Sequence, residues 1–340
     1  MKAWVVARRG APRHALQFKT DVAVPAAPRT GSDLLVKVSH AAINPADAHF
    51  INVLPTWLPF RRAPTPGMDF AGEVVAAGPA APPELAAPGT RVAGAMGVAQ
   101  VAFGKGSLAE YVLVPAHLVA PVPAKLSDAE AAGLFGIAGQ TAEIVTAAAA
   151  VGPGKRALVN GASGGVGSLV VQILKAQGAE VFGVCSGANV EMVRRLGADE
   201  VIDYRTNSPL EAFLTEKFAT KPLDVIIDCA GSQPLFNQSP KYLQPAGRFL
   251  TIVGGRSQGV VPFVQHKLLP VLLGGTPRRF DIIGLSPAGA IARQVAKLVE
   301  DGSIKEAPTD SVFPFEEVVE AMEKLATKRA KGKIVIKVAA

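Results

Sequence analysis

The residues with the clearest chemical potential lie between Lys155 and Val184, KRALVNGASGGVGSLVVQILKAQGAEVFGV. The pattern Ala162-x-Gly164-x-x-Gly167 follows the apolar run Ala157-Leu158-Val159 and precedes apolar residues at Leu169, Val170, Ile173 and Leu174. That last spacing is helical. A second apolar run, Val181 to Val184, comes after Gly178. Strand, glycine turn, helix and strand thus fit within about thirty residues, the size of a βαβ unit. The missing side chain at Gly164 would let a pyrophosphate approach the backbone, and Gly167 would let the helix pack close to the first strand. The helix N-terminus would then offer free N–H groups and a positive dipole end. The expected chemistry is dinucleotide binding, with Ser163, Gly164, Gly165 and Val166 around the pyrophosphate. The alternative is a glycine-rich βα turn with no ligand, and the flanking strand and helix weigh against it.

The end of the second strand bears on which dinucleotide is used. A site that prefers NAD usually has Asp or Glu there to bind the ribose hydroxyls. Here the strand ends Val184-Cys185-Ser186-Gly187-Ala188-Asn189, without an acid. A 2′-phosphate would not be repelled, and Ser186, Asn189 and Tyr204 are placed to hydrogen-bond it. Arg194, Arg195 and Arg205 lie nearby in sequence. The expected cofactor is NADP(H). No arginine stands in the turn itself, so a polar turn facing water is the competing reading.

Metal chemistry is not expected. A structural zinc lobe would need about four cysteines, and the chain has 2, Cys185 and Cys229, both in predicted strands. They fit reduced, buried thiols better than a disulfide framework. The histidines, His14, His40, His49, His117 and His266, are isolated in sequence, with no metal-motif spacing.

These residues need a scaffold, and the chain of 340 residues is long enough for two domains. Hydrophobic residues make up 49%, which supplies a sizeable core. The net charge is +7, but the basic residues are scattered and aromatics make up only 6%, so a nucleic-acid interface is not expected. A mild cationic surplus suits an anionic cofactor. No apolar run reaches the roughly eighteen residues of a membrane span. The start, MKAWVVARRG, reads as a strand and not as a signal segment, so a cytoplasmic location is expected.

Residues 1–122 read as mostly β, with short apolar runs at Met1 to Ala7, Leu34 to His40, Phe70 to Ala77, Thr90 to Gly94 and Ala109 to Pro115. Turn signals rich in proline and glycine separate them, which predicts a partly closed barrel. Ser127-x-x-Glu130 is a capping box that starts a helix over Asp128 to Phe135. A second helix is expected over Gln140 to Ala150. After the glycine turn, strands are expected at Glu200 to Asp203, Leu223 to Asp228, Gly247 to Val253 and Phe280 to Leu285, with helices at Glu191 to Leu196 and Leu210 to Phe218. Alternating strands and helices predict a doubly wound parallel sheet. A last long helix from Ser286 to Glu300, a helix at Glu316 to Thr327 and a strand at Lys333 to Val338 close the chain. The fold class is therefore α/β, a β-barrel domain with a parallel-sheet domain. The expected domains are residues 1–122, residues 123–286, and residues 287–340 returning to the first.

Several segments carry a family resemblance. They are Ala42-Ile43-Asn44-Pro45-Ala46-Asp47, Pro66-Gly67-Met68-Asp69-Phe70-Ala71-Gly72, Ser107-Leu108-Ala109-Glu110-Tyr111-Val112, Gly161 to Gly167, Leu196 to Tyr204, and Gly332-Lys333-Ile334-Val335. The chain resembles the zinc-independent quinone oxidoreductase branch of the medium-chain dehydrogenase/reductase superfamily, and is similar to chloroplast-envelope quinone oxidoreductase-like proteins. The resemblance implies a GroES-like catalytic domain built from both chain ends, a Rossmann domain between them, and an active site in the cleft. In zinc-using members a cysteine stands at the Asn44 position and His-Glu at Met68-Asp69, so this chain would lack those ligands. The resemblance places Asn44 and Thr141 by the nicotinamide, and Gly231, Val253, Gly254 and Lys333 among the cofactor contacts. Glu143 departs from the family, which often has an aromatic or aliphatic residue there. Asn189 departs too, standing where relatives often have Lys or Arg. For Asn44-Pro45 a plain strand-ending turn is the alternative.

Without zinc to polarise an alcohol, hydride addition to an enone, an enal or a quinone is the expected reaction, because the developing charge spreads onto a conjugated oxygen. The proton could come from water, and among side chains Asp47 and His49 are the candidates for the donor. Trp57, Leu58 and Phe60, in an apolar insertion between Asn52 and Pro66, are expected to line the substrate pocket, together with the segment from Phe263 to Phe280; for the insertion, satellite packing against the core is the alternative reading. Two competing readings are an NADP-binding scaffold without turnover and an enoyl reductase acting in trans in a polyketide pathway. An exposed edge strand at Phe280 to Leu285 would suit a homodimer, and a monomer stays open.

Overall fold

The computed structural model describes residues 1–53, 64–253 and 276–339. The strands are, in chain order, β1 (Ala3–Val6), β2 (Leu16–Lys19), β3 (Asp33–Ile43), β4 (Asp69–Ala77), β5 (Arg91–Ala95), β6 (Tyr111–Pro115) and β7 (Val119–Pro121). The glycine turn then lies between β8 (Arg156–Asn160) and β9 (Glu180–Cys185), followed by β10 (Glu200–Asp203), β11 (Leu223–Asp228), β12 (Leu243–Thr251) and β13 (Arg279–Ile282). Near the C-terminus come β14 (Thr309–Pro314) and β15 (Lys333–Lys337).

Two compact units form. The first holds Met1–Gln140, Ser286–Lys297 and Ala307–Ala340; the second holds Thr141–Leu285 and Leu298–Glu306. The sequence reading draws its first boundary after residue 122. The helix Asp128–Phe135 instead lies in the first unit, packed on β3, β4 and β15. Its capping box forms, with the Ser127 hydroxyl accepting from Glu130 N–H and the Glu130 carboxylate accepting from Ser127 N–H at 2.9 Å. The segment Leu298–Glu306 belongs to the second unit, where the Gln172 carboxamide accepts from Lys305 N–H at 2.9 Å and donates to the Glu306 carbonyl at 2.9 Å.

The first unit is a mostly antiparallel sheet in the order β14-β15-β3-β4-β5-β7, with β6 on β3 and a separate β1-β2 pair. The last strand of the chain therefore returns to the N-terminal sheet, between β14 and β3. Its core includes Trp4, Leu34, Val36, Ile43, Phe70, Val92, Phe315 and Ile336. The Trp4 indole N–H donates to the Phe315 carbonyl at 2.7 Å, joining the two chain ends. In the second unit all strand pairs are parallel, in the order β10-β9-β8-β11-β12-β13. The chain winds outward from β8 in one direction and from β11 in the other, so the switch point falls beside the glycine turn. Both central strands are buried along almost their whole length, as is usual in parallel sheets. The expected edge strand at Phe280 to Leu285 appears as β13, at one margin of the sheet.

Candidate active site and dinucleotide site

In the first unit, three segments far apart in sequence meet at one buried point. β3 ends at Ile43, and Asn44 leads into the helix Pro45–Val53. Asp69 opens β4, and Lys333 opens β15. Strand pairing makes them neighbours, since Ile334 lies opposite Ile43 and Ala42 opposite Asp69. Asn44 is 4%, Asp69 0% and Lys333 7% exposed, so none can rely on water.

They satisfy one another instead. The Lys333 ammonium donates to the Ile43 carbonyl at 3.1 Å, to Asn44 Oδ1 at 2.6 Å and to Asp69 Oδ2 at 3.0 Å. Asn44 Nδ2 donates to Asp69 Oδ2 at 2.8 Å, and Ile137 N–H donates to Asp69 Oδ1 at 2.8 Å. An ammonium has three donors, and all three of these are engaged. The same contacts fix the Asn44 amide, with its oxygen toward the cation and its nitrogen toward the carboxylate. Gly136 is required here, because a side chain at that position would run into the Asp69 carboxylate.

Asp47 completes the cluster from the helix. Its Oδ2 accepts the Asn44 backbone N–H at 2.7 Å, while its buried Oδ1 has no partner among the described residues. Burial, and then the neighbouring charge of Asp69, pushes the Asp47 carboxyl up to about 7, against the pull of the Asn44 N–H and Lys333. His49, the other candidate acid, is exposed on the same helix.

In the second unit the glycine turn is built as expected. Gly161 has φ +77°, which favours glycine. A side chain on Gly167 would strike the Gly161 carbonyl, so the helix Gly167–Ala176 approaches β8 as closely as a backbone allows. That helix has Val166 as its N-cap and no side chain capping it. An uncapped N-terminus after a glycine cradle suits an anion. Asn189 Nδ2 donates to Ser163 Oγ at 2.9 Å, while the buried Asn189 Oδ1 has no partner among the described residues. Sequence reasoning points Asn189 at the 2′ position; in the structure its amide turns to the glycine turn. The cradle, the uncapped helix and the orphaned acceptor together fit a dinucleotide.

Asp228, which sequence reasoning passes over, organises the adjacent strand end. Its Oδ1 accepts from Asn160 Nδ2 at 2.9 Å, from Ala230 N–H at 3.0 Å and from Gly231 N–H at 2.9 Å, and its Oδ2 accepts from Ser232 N–H at 2.7 Å. This bracket holds Gly231 at φ +81°. Val253, at the end of the next strand, donates its N–H to Thr251 Oγ1 at 3.1 Å. Ser186 is half-buried, Tyr204 is exposed, and Thr141 is buried on the helix Ile137–Ala149. Glu143, on that helix, is half-buried, which raises its pKa. Gly254, Trp57, Leu58, Phe60 and most of the expected pocket segment after Phe263 lie outside the described residues.

Both cysteines are free thiols, Cys185 buried and Cys229 half-buried. Burial pushes Cys185 up to about 11 and pushes Cys229 higher still. Among the described residues no group of three or more His, Cys, Asp or Glu side chains could hold a metal ion. Among them, too, no helix is long and apolar enough to cross a membrane.

Comparison with known proteins agrees with this architecture. Residues 30–124 match the alcohol dehydrogenase GroES-like domain, and residues 196–336 match the zinc-binding dehydrogenase family. The chain is 35% identical to the medium chain reductase pydE of Acremonium sp, over 99% of both chains. It is 32% identical to the trans-enoyl reductase poxH of Penicillium oxalicum, over 99% of this chain and 98% of that one. Among solved structures, the quinone oxidoreductase from Coxiella burnetii superposes with a TM-score of 0.83 at 26% identity, over 100% of this chain and 99% of that one. With a GroES-like unit, a Rossmann unit and relatives similar along their whole length, the chain belongs to the medium-chain dehydrogenase/reductase superfamily of NAD(P)-dependent oxidoreductases.

Proposed function

We propose that the chain is an NADPH-dependent reductase that adds hydride, without zinc, to the C=C bond of an enone or enal, or to a quinone. The observation that carries this reading is the Asn44–Asp69–Lys333 cluster. Where the resemblance has zinc ligands, this chain has an amide and a carboxylate already committed to a lysine ammonium.

Bound NADPH supplies the hydride. The turn Ser163 to Val166 and the uncapped helix behind it would hold the pyrophosphate, and the Asp228 bracket would keep Gly231 in place beside it. Lys333 and Asp69 hold the Asn44 amide in one orientation. Asn44 Nδ2 gives one N–H to Asp69, and its second N–H has no acceptor among the described residues. That N–H is a preorganised donor for an oxygen that gains negative charge, the kind of group that lowers such barriers most. Asp47 holds a proton near neutral pH, next to the Asn44 backbone.

The test is a steady-state NADPH oxidation screen across enones, enals, quinones and enoyl thioesters, with and without a zinc chelator. Turnover of at least one class, unchanged by the chelator, is expected. Loss of activity on chelation would overturn the zinc-free reading. Tight NADPH binding with no oxidation by any class would replace the enzyme with a dinucleotide-binding scaffold. Similarity to a trans-enoyl reductase along nearly the whole chain favours a second reading, an enoyl reductase acting in trans. A kcat/KM for enoyl thioesters well above that for the matching free enones would select it.

A further inference from the structure

A buried amide on the helix behind the glycine turn has every hydrogen-bonding position filled. Gln172, 5% exposed, lies on the helix Gly167–Ala176. Its Nε2 donates to the Ser168 carbonyl at 3.1 Å and to the Glu306 carbonyl at 2.9 Å. Its Oε1 accepts from Lys305 N–H at 2.9 Å and from Glu306 N–H at 3.1 Å. Two donors and two lone pairs are all that a carboxamide has. A buried and fully satisfied amide holds its partners in one arrangement. On one side it holds the first turn of the helix, where Ser168 N–H donates to the Gly164 carbonyl of the cradle at 3.0 Å. On the other it holds the chain at Lys305 and Glu306, and Arg195 also takes both Glu306 oxygens at 3.1 and 2.8 Å.

That chain does not stay in the second unit. Between Glu306 and Ala307 it passes into the first. Pro308 comes next and biases Ala307 toward extended backbone, so the link is short and stiff. The carbonyl of the buried Pro308 then accepts the Lys333 N–H at 2.8 Å. Gly332, at φ +87°, makes room for it, since a side chain there would strike that carbonyl. Lys333 is the residue whose ammonium holds Asn44 and Asp69. An unbroken series of hydrogen bonds and peptide links thus runs from Gly164 in the cradle to the Asn44 amide.

We propose that Gln172 is a positioning residue that couples the glycine turn to the Asn44–Asp69–Lys333 cluster. A pyrophosphate bound at the turn steadies the first turn of the helix. Gln172 passes that restraint to Lys305 and Glu306, and Pro308 passes it to the backbone of Lys333. The proposal rests on reading the glycine turn as a dinucleotide site. It makes the hold of Lys333 on Asn44 firmest when the dinucleotide is in place, and by linkage each end strengthens the other equally. Lys333 need not touch the dinucleotide for this, since its ammonium is already engaged by three acceptors.

The experiment is hydrogen–deuterium exchange of the full chain with and without ADP-ribose or its 2′-phosphorylated form, which carry the pyrophosphate but no nicotinamide. In the wild type, exchange should slow at residues 161–168 and, by about fivefold or more, at residues 332–334. Two variants break the series. Q172L removes the amide. Two glycines inserted between Glu306 and Ala307 should leave each hydrogen bond in place and slacken only the link, which keeps the test valid if Q172L does not fold. In each variant the protection at residues 161–168 should persist and that at residues 332–334 should vanish. With an accepted substrate, kcat of each variant should fall about tenfold while the dinucleotide KM stays within about twofold, a split that lost stability alone would not give. Protection at residues 332–334 that persists in either folded variant, or is absent from a wild type protected at the turn, overturns the coupling and leaves the dinucleotide reading standing. No protection at the turn with either ligand, or with NADPH or NADH, overturns both.

Discussion

Each unit buries a carboxylate at the end of its sheet, and the two are satisfied in opposite ways. Asp228 accepts from neutral donors, three of them backbone N–H groups within the next four residues. Those three donors are local and form with the strand end, while Asn160 of β8 adds a long-range donor. Asp69 depends on an ammonium that lies 264 residues away in the chain, and Asp47 beside it keeps an oxygen without a partner among the described residues. The first arrangement is a stiff turn that shapes a loop. The second is a charged centre held together by long-range folding, with one proton loosely placed. A buried ion pair adds little stability over an apolar replacement, but losing one partner is costly. The cluster in the first unit is therefore the less tolerant of change.

The largest effect should come from breaking the ion pair. K333M would leave the Asp69 carboxylate, 0% exposed, without its cation. Stability should fall by about 3–5 kcal/mol, read from urea unfolding. The double variant D69N/K333M should recover much of that loss, since no uncompensated charge remains. A loss in K333M below about 1 kcal/mol, the range of an exposed pair, would show that the cluster is hydrated and the contrast with Asp228 overstated.

A smaller effect is expected at Asp228. D228N keeps the shape but turns one acceptor into a donor facing backbone N–H groups. A cost of about 1–3 kcal/mol is expected, the range for leaving buried polar groups unpaired. Dinucleotide affinity should fall with it, because Gly231 would lose its bracket, and catalysis at saturating cofactor should change little. A fall in turnover with unchanged affinity would place Asp228 in the chemistry instead of the scaffold.

Much of the second unit is legible in the sequence because buried parallel strands are short apolar runs between turn signals. Leu223–Asp228 and Glu200–Asp203 appear with the bounds that their sequences suggest. β14 escapes such a reading, since Thr309, Asp310 and Ser311 open it and its residues are at most half-buried. β2 and β7 are too short to show a period. In the site, Asn44, Asp47 and Lys333 can be named from motifs, but not their mutual contacts. A signal is present: Asp69 and Lys333 each directly precede an apolar run, Phe70-Ala71-Gly72 and Ile334-Val335-Ile336, and a charge there needs a partner. Which partner is decided by the pairing of β15 and β4 with β3, which no local pattern encodes.

The finest distinction between the two centres is their response to pH, and Asp47 reports it. Its carboxyl is raised from 3.8 in the unfolded chain to about 7 in the folded one, by burial first and by Asp69 second. A raised carboxyl means that the folded state binds the proton more tightly. Its contribution to stability is therefore complete below the unfolded value and is lost as pH rises through the folded value. D47N is neutral at every pH and keeps an acceptor for the Asn44 N–H. The stability of D47N relative to wild type should climb between pH 4 and 7, with a slope of at most about 1.4 kcal/mol per pH unit, and then level off. Chemical denaturation of both chains across that window gives the difference directly, because every other titrating group cancels. A flat difference would mean that water reaches Asp47 Oδ1, and the unpaired oxygen that sets this cluster apart from the Asp228 bracket would no longer distinguish them.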